Sequence, residues 1–332
     1  MQGAFLIIFT LFWSAFVLTF DGFMIHNLFK QAAAADYLSV TGKVTYSEVR
    51  IHHGSKGGIS YEPVVNYRYE VGGQSFAGNR IRYNSVSSSS QAAAYNLVDE
   101  HSAGSTLPVF YNRENPQDAV LFTRLEGSDF VPIIFLTPFN AVMVGLFFWT
   151  WSWLRERFFR PAAGGVEIIT DGMYTRVRLP QVGAVVWWLA ATGGFGFAAT
   201  FILGFSTAMR PSIPQAFLTI AVVYVGGAGV YLWQWMKIRS GIDDLVINDA
   251  NRSLELPLTF DRKERMTVSS SDIEALTVDQ IEHRSSKGGV SFTYAPTLRL
   301  RSTESAGEKL ADWGDKLKAD DFAAWLRQKL GL

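Results

Sequence analysis

The sequence has no cysteine. That excludes disulfides, thiolate nucleophiles, zinc fingers and cysteine-ligated iron–sulfur clusters. Any polar domain in this chain must therefore hold together by its own core. Charge is also scarce: 18% of the 332 residues are charged, with 30 Lys plus Arg set against 30 Asp plus Glu. There is no net basic field to neutralise phosphates along a strand, so nucleic acid is not an expected partner. No phosphate loop, no GxGxxG and no pair of histidines at helical spacing occurs, and no cofactor or metal is expected. Gly73, Ser75 and Ala77 approximate a nucleophile elbow, but strand pattern lies on both sides where the motif needs a strand and then a helix. His52 and His53 are adjacent, so on an extended strand they point to opposite faces and cannot share a metal.

What the chain has in excess is apolar surface, 48% hydrophobic and 14% aromatic. Four runs carry it, at residues 1–29, 130–154, 182–205 and 214–236, each long enough to cross a hydrocarbon layer about 30 Å thick. The first run has a rival reading as a secretory signal peptide, because Ala32 to Ala35 resembles a cleavage site. Its start lacks Lys and Arg and the run is too long, which favours an uncleaved anchor. Only Ser206 to Ile213 joins the last two runs, so those two form an antiparallel hairpin.

Basic residues are retained on the cytoplasmic side of short loops. Arg155, Arg157 and Arg160 follow the second run, Arg176 and Arg178 precede the third, and Lys237 and Arg239 follow the fourth. Trp149, Trp151, Trp153, Trp187, Trp188, Trp233 and Trp235 cluster at those same ends, as amphipathic rings do at an interface. These anchors predict a multi-pass protein of a bacterial inner membrane, with both termini cytoplasmic and the lipid bilayer as its first partner. Asp21, His26 and Asn140 are the few polar groups within the runs that could serve a transport pathway. Asp21 and His26 read as solvated residues toward the outer end of the first run. Ala190, Gly194 and Ala198, and likewise Gly196, Thr200 and Gly204, recur at four-residue spacing, with Gly226 to Gly229 in the last run; these small faces predict close packing or a homo-oligomer or protein partner.

Two mainly-β domains, each a small barrel or sandwich with one helix, complete the predicted fold around the four-span bundle. One occupies residues 38–124, outside the cytoplasm. There Ile59, Tyr61, Pro63, Val65, Tyr67, Tyr69 and Val71 alternate with polar residues, the pattern of a half-buried strand, and Gly72 and Gly73 turn the chain. A strand around Phe76 to Ile81, a helix from about Ser88 to His101, and strands at Leu107 to Tyr111 and Ala119 to Phe122 follow. The cytoplasmic domain combines a hairpin at 164–180, turning at Asp171 and Gly172, with residues 241–332. It closes on a helix from about Asp320 to Leu330, with Asp320 as its cap.

The two domains share a pattern. Val44, Tyr46, Val49 and Ile51 precede Ser55, Lys56, Gly57 and Gly58, as Leu276, Val278, Ile281 and His283 precede Ser286, Lys287, Gly288 and Gly289. The step of three inside each quartet predicts a β-bulge before each hairpin. Lys56 and Lys287 tip the two hairpins and are the weak candidates for touching a partner or lipid head groups, against the simpler role of Gly-Gly in the turn.

Thr41 to Val44, Tyr61 to Val65 running into Tyr67 to Glu70, and the closing segment Gly104 to Leu121 resemble a bacterial membrane family known as domain of unknown function 3592, over about Leu38 to Phe122. The resemblance implies no activity, cofactor or catalytic residue. The C-terminal part is similar in strand order and closing helix to bacterial pleckstrin-homology-like domains, except that two membrane runs separate its first hairpin from the rest. The function expected from all this is a non-catalytic scaffold, sensor or accessory subunit. Its rivals are an envelope enzyme with a site around Tyr61, Glu62 and His101, and a transporter.

Overall fold

A computed structural model describes residues 2–53, 58–83, 91–158, 162–207, 210–258, 262–285, 288–301 and 307–332. Among the described residues, four helices are long and apolar enough to cross a membrane. These are α1 (Gln2–Ala33), α3 (Val131–Phe158), α4 (Ala184–Thr207) and α5 (Ile213–Ser240), and the short helix α2 (Gln91–Glu100) lies between the first two. Each long helix runs a few residues past its apolar stretch and carries charged or polar residues in its last turn. The chain divides into two compact units, Met1–Leu146 with Leu189–Gly227, and Phe147–Trp188 with Ala228–Leu332.

The first unit contains a five-stranded antiparallel sheet in the order β3-β2-β1-β4-β5. Its strands are β1 (Leu38–His53), β2 (Ile59–Val71), β3 (Gln74–Gly78), β4 (Thr106–Tyr111) and β5 (Ala119–Val120). The alternation in β2 sends Val65, Tyr67 and Tyr69 inward, where they join Val44, Leu107, Val109 and Leu121 in one core. Burial of each such side chain contributes about 1.5–3 kcal/mol. The sheet nearly closes on itself: Ile81 O accepts from the N–H groups of Leu121 and Phe122 (3.1 and 3.0 Å), and the Tyr67 hydroxyl spans the gap by donating to Arg80 O (2.8 Å) and Ala119 O (3.2 Å).

In the same unit α1 presents one face to α3. Trp13 stacks on Phe139 and donates from Nε1 to the Phe139 carbonyl (3.3 Å), while Thr10 and Val17 of α1 are buried. The two small stripes of α4 differ in use. Gly196, Thr200 and Gly204 are buried, with Thr137 of α3 so close to Gly196 that an added Cβ would meet it at 2.7 Å; Ala190, Gly194 and Ala198 are exposed, and a Cβ added at Gly194 would meet nothing within 4 Å.

The second unit holds one core built from two separated stretches of chain. Strands β6 (Glu167–Asp171) and β7 (Tyr174–Arg178), which precede α4, pair through β7 with β8 (Asp244–Asn248), which follows α5. The sheet continues through β9 (Ser253–Leu256) and β10 (Met266–Ser269), in the order β10-β9-β8-β7-β6. A second sheet, β11 (Ile273–Arg284), β12 (Val290–Leu300) and β13 (Glu308–Lys309), and the helix α6 (Lys316–Leu330) complete it. Val177, Leu245, Leu254, Leu298, Phe322 and Leu326 meet in this core, and Trp313 stacks on Phe322 with ring centroids 4.9 Å apart.

Several local expectations are corrected. Helix α6 begins four residues early, because Asp315, not Asp320, is the N-cap: its backbone is extended and its carboxylate accepts from the Leu317 N–H at 2.9 Å. The strand β3 ends at Gly78 instead of Ile81, and α2 begins at Gln91, with Ser88 outside the described residues. The hairpin turn before α4 is centred on Gly172 and Met173, with Asp171 paired to Tyr174; Gly172 supplies the positive φ, +60°.

Both long ribbons carry a register slip, but not inside the step of three. In β1 it falls between Val44 and Tyr46, just past the last residue that pairs with β4, Lys43. The slip keeps Val49 and Ile51 on the face of Val44 and turns Tyr46 to the other. In β11 it falls between Ile273 and Ala275, so that Ile273 and Leu276 both enter the core, and Ile281 and His283 take the face opposite to Leu276. The ribbons share a pattern and a bulge without sharing the bulge's place.

Candidate functional site

The most concentrated polar chemistry in the first unit surrounds Asp118, whose side chain is 10% exposed. The turn that holds it is built by Asn112 and Asn115, with Asn112 N–H donating to Asp118 O (2.9 Å) and Asp118 N–H to Asn115 O (2.9 Å). Four side chains reach its carboxylate. Lys30, in the last turn of α1, donates to Oδ2 at 2.8 Å; Arg80 donates to Oδ1 at 2.6 Å; Tyr83 donates to Oδ1 at 2.8 Å; and Tyr37 reaches Oδ2 at 3.3 Å while its hydroxyl lies 2.8 Å from that of Tyr83. The Arg80 guanidinium also lies over the Tyr83 ring, 4.8 Å from its centroid.

Burial raises the pKa of the Asp118 carboxyl, but the hydrogen bonds from Lys30 and Tyr83 and the charges of Lys30 and Arg80 more than offset it, and the group is held below the ordinary carboxylate value. Tyr83 is pushed up, first by burial and then by its bonds with Tyr37 and Asp118, so it stays a neutral donor. A strongly ionised carboxylate enclosed by two cations and two tyrosines has its lone pairs occupied. Such a group fixes geometry; it is not poised to abstract a proton.

Two further contacts extend the cluster. Gln31 is fully buried, accepts from the Tyr83 N–H (2.9 Å) and donates to the carbonyl of Phe122 (2.9 Å). Arg82 pairs with Asp129 (2.9 Å) and Glu126 (2.6 Å), and Asp129 in turn accepts from the Glu126 N–H, capping the short 3-10 turn that leads into α3. The end of α1 and the start of α3 are thereby tied to the β sheet by charge-assisted bonds, which are about twice as strong as neutral ones. None of these residues stood out in the sequence, because residues 30, 31, 37, 80, 83 and 118 share no spacing. The nearest signal was a lone Lys closing an apolar run.

The residues proposed for an enzyme are not assembled. Glu62 binds His52 (2.7 Å) at a surface where both side chains are more than 40% exposed. Tyr61 reaches Gln91 of α2 (3.4 Å), and His101 bonds the carbonyl of Leu97 (2.9 Å) and stands edge-on to Phe122. One concave surface among the described residues of this domain is lined by Thr45, Asn66, Tyr67, Arg68, Ala77, Gly78 and Asn79, and none of the three lines it.

The transport candidates separate too. Asn140 Nδ2 donates to Asp21 Oδ1 at 3.1 Å and to the carbonyl of Leu136 at 3.2 Å, whereas His26 is exposed on the surface of α1. Asp21 is half-buried and has a partner. It lies about 18 Å below the end of α1 by helical rise and is joined to a second apolar helix. A pair of this kind fixes one helix against another, and its interhelical bond stabilises by roughly 0.5–2 kcal/mol.

The described aromatic and basic residues expected to anchor an interface lie in the second unit. Trp149, Trp151, Trp187, Trp233 and Trp235 are exposed, and Trp153 and Trp188 are half-buried. Arg157 stacks over Trp153 and Arg239 over Trp235, Lys237 pairs with Asp243 at 2.9 Å, and Arg155 is exposed. Arg160, Lys56 and Lys287 lie outside the described residues.

Residues 40–126 match a family model described as Domain of unknown function (DUF3592), the family the residues of this domain resemble. No curated protein and no solved structure matches the chain.

Proposed function

We propose that the chain is a multi-pass protein of a bacterial inner membrane in which α1, α3, α4 and α5 cross the bilayer and both termini are cytoplasmic. The first β domain stands outside the cytoplasm and the second within it. Its role is that of a non-catalytic scaffold, sensor or accessory subunit that links the two sides. The observation that carries this reading is the second core, in which strands from before α4 and after α5 share one sheet. Helices α3, α4 and α5 therefore all lead into a single folded body, while the Asp118 and Asp129 clusters tie the other ends of α1 and α3 to the first domain. A displacement of either domain is then felt by helices that the other domain holds. The exposed stripe of Ala190, Gly194 and Ala198 supports association of α4 with a second copy or with a partner's helix.

The test is the assembly state. Extracted in a mild neutral detergent and chemically cross-linked, the full-length protein should migrate as a complex, either with itself or with a second protein. A clean monomer under conditions that preserve other membrane complexes would contradict the linking role.

A further inference from the structure

Past Val44 and Tyr67 the strands β1 and β2 run on as a ribbon of two. Among the described residues, β4 pairs with β1 only over Leu38 to Lys43, and β3 pairs with β2 only from Tyr67 onward. A two-stranded ribbon is marginal in water unless something covers or extends it. Helix α2 packs on one face, with Ser47 Oγ donating to Val98 O (3.3 Å) and Tyr61 reaching Gln91 (3.4 Å). We propose that the outer edge of β1, from Ser47 to Ile51, pairs antiparallel with the same edge of a second copy of this chain, about a two-fold axis at Val49. The inference rests on the reading above that the chain assembles, and it names the partner and the surface.

The register fixes which backbone groups face outward. Val44 N–H donates to Ser105 O (2.8 Å) and Val44 O accepts from Gly104 N–H (2.9 Å), so the polar groups of Val44 point away from β2. The slip between Val44 and Tyr46 inserts one residue and shifts that alternation by one, which turns the backbone groups of Ser47, Val49 and Ile51 outward. Pro63 agrees with this: it stands opposite Val49 and has no N–H to exchange, so the two form a non-hydrogen-bonded pair. Among the described residues, nothing bonds the outward N–H and C=O groups of Ser47, Val49 and Ile51. The other edge of the ribbon is blunted, because Pro63 faces it without a donor. Charge selects the occupant and the register. Glu48 and Arg50 are exposed on the face turned away from Val49; Glu48 bonds the Tyr46 hydroxyl, and Arg50 lies 3.8 Å from Glu62, which His52 approaches more closely. An axis at Val49 sets Glu48 opposite the partner's Arg50 and Arg50 opposite the partner's Glu48, and lays Val49 on the partner's Val49. An axis at Glu48 or at Arg50 would instead set each of these charges against its own kind.

The test uses the full-length protein in neutral detergent, with the dimer dissociation constant measured by sedimentation equilibrium. Glu48→Arg and Arg50→Glu should each weaken the dimer about 10-fold or more, because either reversal turns two attractive cross-strand pairs into repulsive ones. The double variant Glu48→Arg with Arg50→Glu should recover the wild-type affinity. Both side chains are exposed, so the core is untouched, which an unchanged melting midpoint verifies. The lack of native cysteine allows a second readout. Co-expressed Glu48→Cys and Arg50→Cys chains should form a disulfide-linked dimer on mild oxidation, since the two positions face each other across the new pair. Either variant alone sets its cysteines on the diagonal, about 7–8 Å apart, beyond the reach of a disulfide, and should link poorly. A dimer as tight in both reversals as in wild type, a double variant as weak as the single ones, or single-cysteine chains that link as well alone as together would overturn the edge. Loss of the dimer in Gly194→Leu with no effect of the reversals would place association on the α4 stripe, leaving the assembly reading intact and this surface wrong. A clean monomer would overturn both together.

Discussion

Replacing Asp118 by alanine lowers the stability of the first β domain by about 2 kcal/mol. The side chain is 10% exposed and receives Lys30, Arg80 and Tyr83 together. Without it two cations face each other with no anion, and Tyr83 loses its acceptor. The full penalty of an orphaned buried charge does not apply, because Lys30 is 36% exposed and Arg80 45%, and both regain water. A loss of that size in a domain of this length corresponds to roughly 10 °C in melting midpoint. Asp118→Asn, which still accepts from Tyr83 but carries no charge, should lose about half as much.

The same residue gives a pH signature. Its carboxyl is held below the ordinary value of 3.8 in the folded protein, so the stabilisation is complete above that value and disappears as the pH falls through the folded one. The difference between wild type and Asp118→Ala, followed by thermal melting, should therefore stay constant through neutral pH and shrink only in acid. A difference that grew on acidification would mean that the carboxylate is not the ionised centre of the cluster.

Gly164→Ala is the second large effect, expected to destabilise the second unit by about 3 kcal/mol. Gly164 has φ +68° in the stretch between α3 and β6, and a methyl group there would run into the carbonyl oxygen of Lys318 and lie 2.9 Å from Phe322 Cβ. Both are parts of α6, and Phe322 is fully buried in the core, so neither can retreat cheaply. Gly172→Ala is the control. It has a similar φ of +60° with nothing within 4 Å, so it carries only the conformational cost, about 1 kcal/mol. Chemical denaturation of both variants separates the two contributions. Equal losses would mean that the chain after α3 does not pack on α6.

The legible parts of this fold were those with a periodic signal. Twenty-residue apolar runs announce α1, α3, α4 and α5, and strict alternation announces β2, because in each case burial of one face repeats at the period of the backbone. Boundaries were less legible. Asp315 and Asp320 are equally good caps by residue type, and only the extended backbone at Asp315 selects it. The bulges were legible in kind and not in place, since an apolar residue such as Tyr46 can sit exposed on the outer face of a ribbon. Asp21 reads as a solvated residue on hydropathy alone, and its partner Asn140, 119 positions away, leaves no trace in local pattern. The Asp118 cluster was illegible for the same reason: its members are drawn from the end of α1, the chain after β3 and the turn before β5, and only the folded sheet brings them together.

The central claim is that the two β domains stand on opposite sides of one membrane, and the absence of native cysteine makes it directly measurable. A single cysteine is introduced at Asn96, exposed on α2, or at Gln328, exposed on α6. A membrane-impermeant maleimide is then applied to cells whose outer membrane alone has been opened. Asn96→Cys should label at once and Gln328→Cys only after the inner membrane is lysed. Labelling of both from the same side would contradict the account.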